Sequence, residues 1–204
     1  MRGITRILMG AALLVLLAGP ANAQVEDWQR KWFWGGQYGL MTFHDGADWR
    51  WATNVGAHWL ITGRRSALYL AYDHVIFRGG TQVAIDDGTG SGTTQTVTLD
   101  DGFRIQGALL VFPLTGHFQP YFGGGLAIHQ VTSETDINQD ISTRAFVNFL
   151  AGLQLRLSGS LALFGNYQFI PGSDRFAVSS DVHVFSSGLR IAMGSAHEDI
   201  AVQH

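Results

Sequence analysis

The residues of this sequence that could form an activated nucleophile are serines close to histidines. The pairs are His183 with Ser180, Ser186 or Ser187, and His129 with Ser133. A serine attacks a carbonyl carbon readily only when a base such as histidine, within hydrogen-bond reach, accepts its proton. In an extended strand His183 and Ser187 share a face but lie roughly 13 Å apart, given the rise per residue. That separation excludes a direct hydrogen bond within one strand, so we predict that the protein has no catalytic residue.

A second group of residues is polar and recurs at alternate positions of strand-like segments. Its members are Asn54, His58, Asp73, Arg104, Gln106, His129, Asn148, Gln154, Arg156, Asn166, Gln168 and Arg190. Asp73 is the only carboxylate near the middle of such a segment, and buried arginines require partners. Because buried polar groups are nearly always hydrogen-bonded, we predict a stabilising network of ion pairs and amides inside the fold. A narrow or gated conductance path is the alternative.

Strands must position these residues, because apolar and polar residues alternate along the chain with a period of two. The alternation is plainest at 49–61, where Trp51 and Val55 oppose Asn54 and His58. The fourth and fifth strands form a hairpin over 103–130 with a tight turn at 114–117. The other six strands are predicted at about 32–43, 49–61, 66–77, 145–157, 161–169 and 182–193.

The connections between the strands alternate in length. Short ones fall at 63–65, 115–117 and 158–160, a modest one falls near 44–48, and longer ones fall at about 78–96, 132–144 and 171–181. Short turns at one end and longer loops at the other are typical of up-and-down barrels that cross a membrane. We therefore predict an all-β fold, an eight-stranded antiparallel up-and-down transmembrane β-barrel.

The composition of the two strand faces indicates which of them meets water. The polar face carries Gly, Ala, Ser, Asn and Gln with a few Arg, and Lys31 is the only lysine, whereas wet surfaces are rich in Lys and Glu. Aromatic residues near strand ends predict girdles at the level of lipid headgroups: Trp49, Trp51, Trp59, Phe77, Phe118 and Phe146. Both features favour an apolar outer face in lipid. The alternative is a soluble eight-stranded barrel that binds a lipophilic ligand.

The first 23 residues have the form of an export signal. A basic start is followed by an apolar run at 7–19 and by Ala21-Asn22-Ala23, which predicts cleavage before Gln24. The apolar run is shorter than the roughly 20 residues that a membrane-spanning helix needs. The predicted domain therefore covers 24–204, with a short tail after about 194.

Composition excludes several other kinds of site and partner. The chain has no cysteine, which excludes disulfides and thiolate metal sites. Its formal net charge is −3, without the basic surface that nucleic-acid binding requires. We predict no cofactor, no metal site and no nucleic-acid partner.

Two local patterns carry a resemblance to a known family. The segment Gln119-Pro120-Tyr121-Phe122-Gly123-Gly124-Gly125-Leu126 is similar to the opening of a barrel strand, and Ser186-x-Gly188-x-x-Ile191-x-Met193 is similar to a barrel-assembly signal. The second pattern departs from the family at Met193, where an aromatic residue usually stands. With the architecture of residues 24–204, these patterns resemble the small eight-stranded outer-membrane barrels of the OmpA and OmpX type.

This resemblance implies a monomer in the bacterial outer membrane that contacts membrane lipids, lipopolysaccharide and the outer-membrane assembly machinery. We expect a non-enzymatic role in envelope structure or surface interaction. The predicted outer loops are acidic: Asp86, Asp87, Asp100, Asp101, Glu134, Asp136, Asp140, Asp174 and Asp181. A hydrolase of lipid A acyl chains and a small-conductance porin remain alternatives, although the His-x-Ser-Asn pattern of such hydrolases is absent.

Overall fold

The computed structural model describes residues 30–44, 48–86, 94–114, 116–135, 138–172 and 181–195. The predicted export signal and most of the predicted tail lie outside these ranges. The strands are β1 (Lys31–His44), β2 (Trp49–Thr62), β3 (Ser66–Asp86), β4 (Thr94–Val111), β5 (Phe118–Thr135), β6 (Asn138–Arg156), β7 (Leu161–Ile170) and β8 (Val182–Ser195). No helix among the described residues is long and apolar enough to cross a membrane.

The strands form one closed barrel. Each strand pairs antiparallel with its neighbour in chain order, and β1 also pairs with β8. Lys31 lies opposite Ser195, so the start of β1 and the end of β8 meet at the rim that carries the short connections. We call this rim the turn end and the opposite rim the loop end. The predicted closed, eight-stranded, antiparallel up-and-down barrel is confirmed.

The turns at the turn end are closed by local hydrogen bonds. The Gly63 amide donates to the Ser66 carbonyl at 2.7 Å, and the Leu157 amide donates to the Leu161 carbonyl at 2.9 Å. Between β4 and β5, Gly116 has a φ of 137°, which only glycine adopts without strain. The glycine in the predicted turn is therefore required by the backbone.

Four strands extend further than the sequence predicted. The expected loops at 78–96 and 132–144 are largely paired strand, because Thr81–Asp86 runs along Thr94–Leu99 and Thr132–Thr135 along Asn138–Ile141. The extensions of β5 and β6 lack an apolar face, so alternation cannot detect them, whereas those of β3 and β4 carry a short one, with Val83 and Ile85 on β3 and Val97 and Leu99 on β4. The threonines of the extensions are β-branched, which favours strand geometry.

The alternating pattern places large apolar side chains outside. Leu109 and Leu126 are 68% and 63% exposed, whereas Arg104 and Gln106 on the same sheet point inward and are buried. This orientation is the reverse of the soluble ligand-binding barrel, whose apolar face points inward. The polar face therefore lines the interior, as the sequence predicted.

Aromatic side chains cluster at both rims of the outer face. At the turn end Trp59 stacks on Trp34 with ring centroids 5.4 Å apart and meets the edge of Trp32 at 5.1 Å. At the loop end Trp49 and Trp51 are exposed, as predicted. Phe118 is likewise exposed, at the turn end.

Two of the predicted girdle residues point inward instead. Phe77 is buried against Phe43, with ring centroids 6.1 Å apart, and Phe146 is partly buried against the same interior cluster. Phe77 lies four positions after Asp73, and Phe146 two positions before Asn148. An even spacing keeps residues of a strand on one face, so position near a strand end was the wrong criterion.

Candidate functional site: the polar layer inside the barrel

The barrel interior contains three layers along its axis. A loop-side apolar layer contains Met41, Phe43, Ala52, Val75, Phe77, Leu99, Val131, Ile170, Val182 and Val184. A turn-side apolar layer contains Phe33, Leu60, Ala67, Tyr69, Ala71, Ala108, Leu110, Phe112, Tyr121, Leu150 and Ala162. Most of the polar layer lies between them, whereas Gln119 and Gln154 lie on the turn side of Tyr121 and Leu150. On β3, for example, Asp73 stands between Ala71 on the turn side and Val75 on the loop side.

One part of the polar layer is organised around a carboxylate, and we call it the Asp73 hub. Arg104 donates to Asp73 Oδ2 from Nη2 at 2.7 Å and from Nε at 3.3 Å. Gln106 Nε2 donates to the same oxygen at 3.3 Å, and Gln37 Nε2 donates to Oδ1. Asp73 and Arg104 are fully buried. The carboxylate charge is thus balanced by one guanidinium, and amide donors satisfy its remaining acceptor sites.

A second part, the Arg190 hub, is organised around a cation. Arg190 Nε donates to His58 Nε2 at 3.0 Å, Nη1 donates to Gln154 Oε1, and Nη2 reaches Tyr121 Oη at 3.5 Å. The guanidinium carbon lies 4.1 Å from the centroid of the Phe164 ring. Because His58 Nε2 accepts a hydrogen bond, the imidazole is neutral with its proton on Nδ1. Each of these contacts of the cation is to a neutral group.

Tyr69 connects the two hubs. Its hydroxyl donates to Gln37 Oε1 at 2.8 Å in the Asp73 hub. Its ring lies 5.5 Å from the His58 ring of the Arg190 hub, centroid to centroid. A single buried tyrosine therefore couples the carboxylate side of the interior to the guanidinium side.

Inward-facing glycines make room for the hub residues. A Cβ at Gly56 would collide with the Asp73 carboxylate and the Tyr72 carbonyl, and a Cβ at Gly35 would collide with the His58 ring. Both glycines therefore permit a close approach that no larger residue allows. The polar layer depends on these gaps in the wall as well as on its polar residues.

The interior also contains amides with few partners. Asn148 Nδ2 donates to Gln106 Oε1 at 3.0 Å, and Asn54 Nδ2 reaches Ser186 Oγ at 3.5 Å. The side-chain amides of Asn166 and Gln168 make no hydrogen bond to any described residue. Buried polar groups of this kind are usually satisfied by ordered water.

The structure places the predicted network residues mostly inside the barrel. The buried ones are Asn54, His58, Asp73, Arg104, Gln106, His129, Asn148, Gln154, Asn166, Gln168 and Arg190. Arg156 is half-buried at the last position of β6. Within the set, Asp73, Arg104, Gln106 and Asn148 share one hub, and His58, Gln154 and Arg190 share the other.

Sequence reasoning missed four residues that complete the hubs. Gln37 and Tyr69 belong to the Asp73 hub, Tyr121 to the Arg190 hub, and Gln119 accepts from Gln154 Nε2 at 3.1 Å. Their position in the strand alternation was the available signal. Tyr69 lies four residues before Asp73, and an even spacing places both on the inner face.

The serine and histidine candidates do not come together as a nucleophilic pair. His183 lies on the outer face, and its Nδ1 is 2.7 Å from the hydroxyl of Tyr167 in a hydrogen bond. Trp49 and Phe169 contact the same imidazole ring, at 6.0 and 5.5 Å between centroids. We call these four residues the His183 cluster. Ser186 and His129 are buried in the interior, on the opposite side of the wall.

For two other serines of those pairs the structure does not describe the side chain. Ser180 falls outside the described residues, and the side chain of Ser133 is not described. Of the acidic outer-loop residues, Asp87, Asp136 and Asp174 also lie outside. Among the described residues no group of three or more histidine, aspartate or glutamate side chains could hold a metal ion.

Comparison with solved structures places this architecture among known barrels. Neisserial surface protein A matches with a TM-score of 0.60 and 10% identity, over 78% of this chain and 96% of that chain. The N-terminal β-barrel domain of Pseudomonas aeruginosa OprF matches with a TM-score of 0.55 and 14% identity, over 80% and 98%. Ail, the attachment invasion locus protein of Yersinia pestis, in complex with the heparin analogue sucrose octasulfate, matches with a TM-score of 0.50 and 7% identity, over 80% and 99%.

The likeness is one of fold alone. No protein-family model matches the sequence, and no curated protein matches it either. The closed antiparallel barrel and the matched structures nevertheless agree on strand number and topology. The chain therefore has the fold of the small eight-stranded outer-membrane β-barrels.

Proposed function

We propose that this protein is a monomeric β-barrel of the bacterial outer membrane with a non-enzymatic role in envelope structure or surface interaction. The observation that carries the proposal is the apolar outer face around a layered interior. Lipid requires that backbone polar groups be paired, which a closed barrel achieves. Eight strands leave an interior just wide enough for side chains. Membrane lipids and the outer-membrane assembly machinery are then its expected partners.

A sheet that extends past the barrel on one side supports the surface-interaction role. Among the described residues β3 pairs only with β4 beyond Phe77, and β6 pairs only with β5 before Phe149. Strands β3 to β6 thus project past the loop end of the other four. Unpaired strand edges characterise this projection, and its sequence includes the acidic residues Asp86, Glu134 and Asp140.

Lipopolysaccharide is the partner that we assign to the projecting sheet, through divalent cations that bridge carboxylates and phosphates. Removal of Ca²⁺ and Mg²⁺ from membranes that contain lipopolysaccharide should increase cleavage of the projecting hairpins by an added protease. Membranes without lipopolysaccharide provide the control. Equal protection with and without the cations would contradict the assignment.

Fractionation followed by gel mobility tests the membrane placement. We expect recovery with the outer membrane and a band whose mobility changes when the sample is boiled in detergent, because the closed barrel resists unfolding until heated. Recovery as a soluble periplasmic monomer would contradict the proposal and would favour the soluble barrel.

Two assays separate the proposed role from its rivals. The apolar layers at both ends of the interior favour an absence of stepwise conductance in planar bilayers. The hydrogen bond from Tyr167 to His183 favours a structural role for this histidine. Release of acyl chains from lipid A by the purified barrel, abolished by His183→Ala, would establish the hydrolase instead.

A further inference from the structure

The outer face has a groove across strands β6, β7, β8 and β1. Its volume is about 480 Å³, within the roughly 300–1,000 Å³ of common ligand sites. It crosses four strands, a span of roughly 14 Å at the usual inter-strand spacing. We call it the outer groove.

Small residues form the floor of the outer groove. Ser187 lies directly opposite Gly165 on β7 and opposite Tyr38 on β1. Ala151 on β6 extends the same floor. A Cβ added at Gly165 would meet only the Ser186 carbonyl oxygen, at 4.0 Å, so the space above this glycine is open. The register pairs Ser187 with Gly165 and Gly165 with Leu153, so two small residues lie side by side, and Ala151 lies one row further along β6, opposite Tyr167.

Large apolar side chains form the walls. Tyr38 and Phe185 are 51% and 53% exposed, and Leu40, Leu153 and Tyr167 complete the rim. The rings of Tyr167 and Phe185 contact each other at 5.0 Å between centroids. A flexible apolar chain on this floor would contact side chains on both of its flanks, and each contact adds a small dispersion attraction.

The outer groove lies between the two aromatic rims. Its Tyr167 wall belongs to the His183 cluster at the loop end. Tyr38 lies four residues beyond Trp34, which belongs to the tryptophan cluster at the turn end. Aromatic belts mark the headgroup levels of a membrane, so the groove opens at the depth of the acyl chains.

We infer that the outer groove is an intramembrane binding site for one acyl chain of a membrane lipid. The bilayer supplies hydrocarbon at this depth. The hydrogen-bonded Tyr167 and His183 place polar atoms at the loop-end side of the groove, where the ester and headgroup of the same lipid would lie. This inference rests on the membrane placement proposed above.

Photolabelling with a defined lipid tests the inference. The full barrel is folded into vesicles of phosphatidylcholine with a small share of phosphatidylethanolamine that carries a diazirine midway along one acyl chain. After irradiation, labelled peptides are mapped by mass spectrometry. We expect labelling of 151–153, 165–167 and 185–187 several-fold above that of other outward positions. Uniform labelling around the barrel would overturn the inference.

A matched pair of variants locates the effect. Gly165→Leu fills the floor, whereas Gly36→Leu adds the same side chain to an outward glycine of β1 that is also in open space and does not line the groove. We expect Gly165→Leu to reduce groove labelling several-fold and Gly36→Leu to leave it unchanged. Ser187→Leu fills the floor from β8 and replaces Gly165→Leu if that variant fails to fold.

The other outcomes also decide the question. Unchanged labelling in both floor variants would overturn the site. Low labelling of the groove together with a dimeric barrel in analytical ultracentrifugation in detergent would overturn the acyl chain in favour of a second copy. A protein that stays soluble and shows no heat-dependent mobility would overturn the membrane placement itself, whereas a heat-modifiable barrel with uniform labelling overturns only the groove.

Discussion

The two hubs of the polar layer stabilise a buried charge in opposite ways. Asp73 meets a full opposite charge, since Arg104 donates to it twice and amides fill its remaining sites. Arg190 meets neutral acceptors and an aromatic face, in His58, Gln154 and Phe164. A lone guanidinium tolerates such surroundings because its charge is delocalised and stacks on rings. The difference shows that burial of charge here depends on the chemistry of each ion, and not on pairing alone.

The largest expected effect comes from breaking the paired hub. Asp73→Leu leaves Arg104 as a buried cation without its carboxylate, which should lower the free energy of unfolding by about 3–5 kcal/mol. Urea titration of the barrel in lipid vesicles, followed by tryptophan fluorescence, measures the change. The double variant Asp73→Leu/Arg104→Leu removes both charges and should recover most of the loss. A double variant as unstable as the single one would show that the ion pair is not the cause.

An arginine on the other side of the wall provides the next test. Leu153→Arg places a guanidinium on the outer face of β6 and should cost about 2–4 kcal/mol near the bilayer midplane. Gln154→Arg, one residue later, points inward and is the comparison: it removes the acceptor of Arg190 Nη1 and places a second cation beside it, so its cost reports the interior and not the lipid. The same urea titration compares them. If Leu153→Arg were as stable as the unsubstituted barrel, residue 153 would not face hydrocarbon.

Removal of the Arg190 guanidinium should lower the free energy of unfolding less than removal of the Asp73 carboxylate. Arg190→Met leaves the acceptor atoms of His58 and Gln154 without a donor, a loss of about 1–3 kcal/mol, but it leaves no isolated charge. Arg190→Lys retains the charge without the planar fork and tests whether geometry or charge matters. A cost for Arg190→Met equal to that of Asp73→Leu would erase the contrast between the hubs.

The smallest effect is expected outside both hubs. Gln168 makes no hydrogen bond to a described residue, so Gln168→Leu should change the free energy of unfolding by less than about 1 kcal/mol, in either direction. Gln106→Leu is the matched control, because it removes an amide of similar size that donates to Asp73 and accepts from Asn148. Equal losses in the two variants would place Gln168 in a network of its own.

Much of the barrel was predictable because alternation leaves a local signal. Asp73 stood out as the only carboxylate near the middle of a predicted strand, and its pairing with an arginine followed from the cost of burying charge. Which arginine it meets was not predictable. Arg104 is its direct neighbour across β3 and β4, whereas Arg190 belongs to the other hub. That assignment depends on the register of every strand pair around the barrel, which no short stretch of sequence encodes.

The predictions of the strand ends and of the outward phenylalanines failed for different reasons. The extensions of β5 and β6 have no apolar face, so a search for alternating apolar residues cannot find them. The extensions of β3 and β4 have a short one, at Val83 and Ile85 and at Val97 and Leu99, and this signal was overlooked. Phe77 and Phe146 were assigned from their nearness to strand ends, although their spacing from Asp73 and Asn148 already indicated the interior.

The position of Arg190 on β8 has a consequence for how the barrel closes. β1 and β8 are the first and last strands in the chain, so their pairing closes the barrel. This pairing sets Arg190 opposite Gly35. A slip of one residue at this junction would turn every side chain of β8 to the other face and place the guanidinium in lipid. The hydrogen bond from Arg190 to His58 spans 132 positions of sequence and forms only in the correct register. The burial of Arg190 therefore disfavours misaligned pairing of β1 and β8, because misalignment would move its charge into lipid, the environment in which a charge is least stable.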